Sequence, residues 1–125
     1  MQKPTESELT ILQILWREGP STVRGVHEII SENKDSGYTT TLKIMQIMAE
    51  KGIVERDTSA RTHIYNATIK ESETKRSLLS SFISTTFGGS TTSLVLEALG
   101  NASTSKEDLD EIKTLISAIE KSKKS

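Results

Sequence analysis

The chain has 125 residues, 34% of them hydrophobic, a formal net charge of −1 and no cysteine. This length fits one domain, or one small domain with an attached assembly segment. The composition excludes disulfides, thiolate metal sites and cysteine nucleophiles. No apolar run approaches the roughly 20 residues of a membrane span, and the first residues lack the apolar core of a signal peptide. We therefore expect a cytoplasmic protein with no membrane partner.

Two helices are predicted in the first 37 residues. Thr5 and Glu8 have the spacing of a capping box, which predicts the start of a first helix. Gly19, followed by proline, is expected to end it. Thr22 then opens a second helix with valines and isoleucines on its inner face, and the polar run over residues 31–37 ends that helix.

The stretch from Tyr38 to Gly52 predicts a third helix. Thr39 or Thr40 is expected to be its N-cap, and Gly52 its C-terminal stop. Apolar residues at three-residue spacing give it one buried face. The other face carries hydroxyl, amine and amide groups, which can reach base edges or phosphates. We predict that this is the recognition helix of a DNA-binding domain. The candidate contacts are Thr39, Thr40, Thr41, Lys43 and Gln46.

A β-hairpin is predicted directly after the third helix. Residues 53–57 and 61–67 have the composition of two short strands, with a turn at 58–60. Arg61 and His63 are candidate contacts to the DNA backbone. Three helices followed by a hairpin indicate a winged helix-turn-helix domain over residues 1–70 and a mainly α (α+β) fold.

Residues 71–125 are predicted to form a helical dimerisation domain. Gly88 and Gly89 interrupt the helical pattern, Ser90 caps a short helix, and Ser105 opens a last amphipathic helix. These helices are too few and too short to enclose a core, so their apolar stripes either pack back on the winged helix or pair with a second chain. Exposed stripes of this length favour a homodimer. The candidate dimerisation residues are Leu79, Phe82, Phe87, Leu94, Leu96, Leu99, Leu109, Ile112 and Ile116.

Catalytic and metal-binding signals are weak throughout the chain. His27 precedes a glutamate but lacks the second histidine four residues later that a metalloprotease motif needs. We predict no enzyme, no cofactor and no metal site. The first 70 residues carry equal numbers of basic and acidic side chains. This neutral charge leaves open an alternative function, in which the winged helix binds a protein partner without reading DNA.

Four segments resemble one family when their order and spacing are taken together. They are the first helix over 8–16, the recognition helix with its exit over 38–54, the wing strand over 61–65, and the segment 87–96 that begins Phe87-Gly88-Gly89-Ser90. The chain is similar to the penicillinase-repressor family of bacterial transcription regulators, the BlaI, MecI and CopY type. The resemblance implies a homodimeric repressor on a palindromic, double-stranded DNA operator. Thr39, Thr40, Thr41 and Lys43 would then face the bases.

The chain departs from this family at two places. Family members often carry an arginine on the recognition helix where this chain has Ile47. In β-lactam-responsive members a membrane metalloprotease cuts an Asn–Phe bond in the dimerisation region, where this chain has Glu97 and Ala98. Copper-responsive members use C-terminal cysteines, which are absent. The resemblance thus implies a possible cleavage position and a possible regulatory protease, but neither inducing signal of the family.

Overall fold

The computed structural model describes residues 3–33, 35–101 and 103–124. Its elements in chain order are α1 (Glu6–Glu18), α2 (Val23–Ser31), α3 (Tyr38–Lys51), β1 (Val54–Asp57), β2 (Ile64–Ala67), α4 (Glu71–Thr86), α5 (Thr91–Leu99) and α6 (Lys106–Lys124). The strands form a two-stranded antiparallel sheet. The predicted mainly α (α+β) winged helix-turn-helix fold is confirmed. The chain divides into two compact units, Met1–Leu78 and Leu79–Ser125, with the division inside α4.

The first unit has a well-buried hydrophobic core between its three helices and the wing. Each fully buried aliphatic or aromatic side chain contributes about 1.5–3 kcal/mol relative to an exposed one. The indole nitrogen of Trp16 donates a hydrogen bond of 3.0 Å to the carbonyl of Ile69, which ties α1 to the exit of β2. The buried core residues are Ile11, Leu12, Ile14, Leu15, Val23, Val26, Met45, Met48, Ile53, Val54 and Tyr65.

Local sequence signals set most helix ends of this unit. The Thr5 hydroxyl accepts a hydrogen bond from the Glu8 amide, and the Glu8 carboxylate accepts one from the Thr5 amide, so the predicted capping box is confirmed. The Thr22 hydroxyl caps α2. Gly52 ends α3 with a φ of 81°, a left-handed conformation that costs glycine little.

The start of α3 differs from the prediction. Its N-cap is Gly37 and carries no side-chain cap, so the expectation that Thr39 or Thr40 would be the N-cap is wrong. The Gly37 carbonyl accepts hydrogen bonds from the amides of Thr40 and Thr41, which starts the helix at Tyr38. Thr39 and Thr40 therefore lie in the first turn, where their side chains are exposed.

The wing has shorter strands and a longer tip than the sequence pattern predicts. Val54 pairs with Ala67, and Asp57 pairs with Ile64. The Asp57 carboxylate accepts a hydrogen bond of 2.9 Å from the Ser59 amide, which turns the chain away from the strand. Residues 61–63 consequently belong to the tip, and the prediction that the second strand begins at residue 61 is wrong.

A partly buried ion pair joins the first turn of α1 to the last turn of α3. The ammonium of Lys51, in the last turn of α3, lies 2.8 and 3.0 Å from the carboxylate oxygens of Glu8 in α1. The Glu8 side chain is 4% exposed. Burial acts to raise the pKa of the Glu8 carboxyl, but the bonds from Lys51 and Thr5 outweigh burial and hold the pKa below its ordinary 4.5.

Replacing Lys51 by methionine is expected to lower the free energy of unfolding by about 1–3 kcal/mol at pH 7, because a buried carboxylate loses its cation. A lowered folded-state pKa stabilises the fold above the unfolded pKa, and this contribution is lost as the pH falls through the folded pKa. The difference between Lys51→Met and the parent should therefore shrink below about pH 4.5. Urea titrations at several pH values measure it.

The matched control is Lys75→Met. Lys75 pairs with Glu71 one turn earlier on α4, and both side chains are about half exposed. Such a surface pair contributes at most about 0.5 kcal/mol. Equal losses in the two variants would contradict a special role for the Glu8–Lys51 pair.

The second unit contains the end of α4, α5 and α6. Gly88 and Gly89 have φ values of 58° and 86°, and this left-handed pair turns the chain between α4 and α5. Phe82 packs edge-on against Phe87, with ring centroids 5.6 Å apart. Of the residues described between 79 and 123, none is buried within the single chain. None of the helices described has the length and apolar character to cross a membrane.

Candidate nucleic-acid interface

The outward face of α3 is polar, except at one position. Successive helix positions are about 100° apart, and Thr41, Met45 and Met48 point to the core. The opposite face consists of exposed positions only. These are Thr39, Lys43, Gln46, Ile47 and Glu50. A DNA major groove is wide enough to admit an α-helix, so this face can offer hydroxyl, amine and amide groups to base edges.

An open groove of 490 Å³ runs between the start of α2, the side of α3 and the wing. Its charged lining residues are Arg24, Arg56 and Arg61, with no carboxylate among the groove residues. The lining of this groove is therefore positively charged, although the whole chain has a net charge of −1. The complete lining is Thr22, Val23, Arg24, Tyr38, Leu42, Gln46, Arg56, Arg61, Thr62, His63 and Tyr65.

Backbone hydrogen bonds fix the wing against the start of α2. The Ser21 amide donates to the Tyr65 carbonyl at 3.0 Å, and the Tyr65 amide donates to the Ser21 carbonyl at 2.8 Å. Tyr65 is itself buried in the core. Because Arg56 pairs with Tyr65 in the sheet, these bonds also fix the backbone of Arg56 relative to the start of α2, which pre-organises this part of the groove.

Tyr38 connects the groove to α2. The guanidinium of Arg24 lies 5.2 Å from the centre of the Tyr38 ring, and the His27 ring meets Tyr38 edge-on at 5.7 Å. Such a cation–π contact orients the guanidinium. Sequence reasoning did not select Tyr38, Arg24 or Arg56 as site residues. Two features of the sequence could have indicated the arginines. Arg24 lies on the outer face of the predicted second helix, and Arg56 lies in the first predicted strand, where side chains alternate between the two faces of the sheet.

The structure gives Thr41 a different role from the one predicted. Its side chain is 2% exposed, and its hydroxyl lies 3.0 Å from Nδ1 of His27. A buried hydroxyl with an internal partner has no surface to offer to DNA, so we remove Thr41 from the candidate contacts. The signal lay in the spacing, because Thr41 precedes Met45 by four residues and therefore shares its buried face.

The other predicted contacts fall into two groups. Gln46, Arg61 and His63 line the groove. Thr39, Thr40 and Lys43 are exposed but lie outside it. Thr40 also borders a small pocket of 110 Å³ on the side of α3 that faces α1. The structure thus brings three of the seven predicted contacts together with Arg24, Tyr38 and Arg56, which were not predicted.

The predicted dimerisation residues are all at least partly exposed in the single chain. Those classed as exposed are Leu79, Phe82, Leu96 and Ile116, and those half-buried are Phe87, Leu94, Leu99, Leu109 and Ile112. Three further exposed apolar residues of these helices, Val95, Leu115 and Ile119, were not among the candidate dimerisation residues. Glu97 and Ala98 are exposed and lie within α5. Glu97 also lines an open cleft of 580 Å³ beside Phe87 and Leu96.

Within the described ranges, histidine and carboxylate side chains form no group of three or more that could hold a metal ion. The guanidinium and hydroxyl groups of the groove can donate hydrogen bonds to phosphate oxygens or base edges.

Comparison with known proteins identifies a family and several relatives. A sequence model described as penicillinase repressor matches residues 4–118. The transcriptional regulator BlaI of Mycobacterium tuberculosis is 39% identical over 59 residues, which are 46% of this chain and 43% of that relative. The methicillin resistance regulatory protein MecI of Staphylococcus aureus is 21% identical over 112 residues, 90% of this chain and 91% of MecI. The penicillinase repressor of Bacillus licheniformis is 22% identical over 108 residues, 86% and 84% of the two chains.

Proposed function

This chain belongs to the penicillinase repressor family, and on that basis we propose that it represses transcription as a homodimer bound to a palindromic DNA operator. Its relatives are transcriptional regulators, and two of them match along most of their length. The match spans less than half of the mycobacterial regulator. The proposal therefore depends on the site itself as well as on the family.

The arrangement of the groove is the observation that carries the proposal. Three arginines from α2 and the wing line it without a carboxylate, and α3 presents Lys43 and Gln46 beside it. Phosphates require cations held in register, and base edges require donors and acceptors on a helix that fits the major groove. A winged helix that bound a protein through α3 would have no need for this concentration of positive charge.

The second unit supports the homodimer. Its described residues up to position 123 include none that is buried, although they carry apolar stripes along α5 and α6. Helices of this kind gain stability when a second copy covers the stripes. A two-fold dimer would place two recognition helices about 34 Å apart, one turn of DNA.

Release from DNA would follow from loss of the dimer. Two linked half-site contacts reinforce each other through their effective concentration, so a monomer binds far more weakly. A regulatory protease that cuts between Glu97 and Ala98 is one route. Both residues are exposed, but they lie in helical backbone, so α5 would have to unwind locally before the bond entered a protease.

Selection of DNA from a random double-stranded pool tests the proposed function. We expect the full chain to enrich an inverted repeat whose half-site centres are about 10 base pairs apart. The enriched duplex should bind with a stoichiometry of two chains. Failure to enrich any sequence would overturn the proposal and favour the protein-binding alternative, and an enriched single half-site would overturn the palindromic operator.

A further inference from the structure

We infer that Ile47 is a specificity-determining residue of the recognition helix and that it contacts the C5-methyl group of a thymine in the operator. The inference rests on the proposed function, because it names one base that the α3 face reads. Its starting observation is the exposure of this side chain. Within the described part of the first unit, the exposed large hydrophobic side chains are Tyr38 and Ile47, and both lie on α3.

These two exposed residues are not equivalent. Tyr38 contacts Arg24 and His27 within the same chain. Ile47 is 36% exposed and is absent from the half-buried hydrophobic residues that pack against the described core. A single exposed isoleucine is ordinary on a protein surface. The exposure of Ile47 becomes informative because Ile47 lies on the outward face of α3.

Ile47 lies on the face that the proposed function directs to DNA. It is four residues after Lys43, so the two side chains differ in direction by about 40° around the helix, and Gln46 lies about 60° from Lys43 on its other side. All three residues are exposed. If Lys43 and Gln46 approach base edges in the DNA major groove, Ile47 approaches the base edges about one turn further along α3.

The chemistry of the major groove then identifies the partner of Ile47. Donors and acceptors of guanine, cytosine and adenine edges offer nothing to an aliphatic side chain, and facing them would leave those groups unpaired. Thymine presents a C5-methyl group, which is the apolar feature of the major groove. An operator position next to the bases read by Lys43 and Gln46 should therefore be a thymine.

Replacing single thymines of the selected duplex by deoxyuridine tests this contact, because deoxyuridine lacks only the C5-methyl group. In fluorescence anisotropy titrations of the full chain, we expect one thymine per half-site at which the replacement weakens binding about fourfold, the effect of one buried methyl group. Ile47→Ala, which removes the contact from both protomers, should bind the thymine duplex about as weakly as the parent binds a duplex with uracil at this position in both half-sites, and should no longer distinguish the two.

Lys43→Ala is the matched control, because Lys43 lies on the same face but carries charge. It should weaken binding to both duplexes by the same factor and keep the thymine preference. Ile47→Ala gains helix propensity but loses some covered apolar area, so a thermal melt verifies that the variant is folded at the titration temperature. Tight operator binding that is indifferent to uracil at every position, or a thymine preference that persists in Ile47→Ala, would overturn the inference and leave the repressor proposal standing. Failure to select any duplex would instead contradict the proposed function.

Discussion

Replacing Arg24 and Arg56 together by alanine is expected to weaken binding to the selected operator duplex on the order of 100-fold, because the dimer loses four exposed charge contacts that each contribute about 0.7 kcal/mol. Arg24 lines the groove from α2 and Arg56 lines it from the wing, so the double substitution tests both sides of the groove. Both side chains are exposed, and removing them should change the free energy of unfolding by no more than about 1 kcal/mol. Anisotropy titrations at fixed salt measure the loss, and thermal melts verify folding.

The control for this variant removes the same charge elsewhere. Arg17→Ala with Arg76→Ala takes two exposed arginines from α1 and α4, and neither residue lines the groove. We expect this control to bind within about threefold of the parent, because exposed charges beyond a Debye length of about 8–10 Å are screened at physiological salt. If both double variants lost affinity equally, net charge rather than the groove would determine binding, and the proposed interface would be wrong.

Replacing Ile116 by glutamate is expected to separate the proposed homodimer. Ile116 lies on the apolar stripe of α6 with Leu109 and Ile112 and is 47% exposed in the single chain. Burying an unpaired carboxylate at a two-fold interface places two such charges near each other, which should raise the dimer dissociation constant on the order of 100-fold or more. Sedimentation velocity over a range of concentrations measures this constant.

Ser117→Glu is the matched control for Ile116→Glu. Ser117 is the next residue and is exposed on the polar side of α6, so the same charge is added about 100° away from the stripe. The control should sediment as the parent does. Operator affinity should fall only in Ile116→Glu, because its half-sites are no longer linked. A dimer that tolerates Ile116→Glu, or that is weakened equally by both changes, would show that the stripe of α6 is not the interface.

Local signals in the sequence predicted the secondary structure well. The capping box at Thr5 and Glu8 and the glycine stop at Gly52 act over a few residues, and the structure has helix ends at both places. The predicted N-cap of α3 failed because Gly37 and the threonines after it are all acceptable cap residues, and the choice depends on the connection that leads into the helix. The strand boundary near Arg61 failed because the turn at Asp57 begins earlier than the residue alternation indicates.

The candidate site was predictable only in part, for a similar reason. Helical spacing correctly places Lys43 and Gln46 on an exposed face, and the order of elements predicts a wing. Spacing also assigns Thr41 to the inner face, but its hydroxyl suggested a contact with DNA. The internal partner of that hydroxyl is His27, which lies 14 residues earlier and on another helix.

The sequence by itself determined the order of the elements, the apolar faces of α1 and α2 and the family, because these depend on periodicity, caps and local motifs. The tertiary structure alone decided which distant residues meet. It brought Arg24, Arg56 and Arg61 into one groove, joined Glu8 to Lys51, and left Ile47 on the surface of α3. Contacts between separate elements depend on how those elements pack, and the spacing of residues along one helix or strand carries no record of that packing.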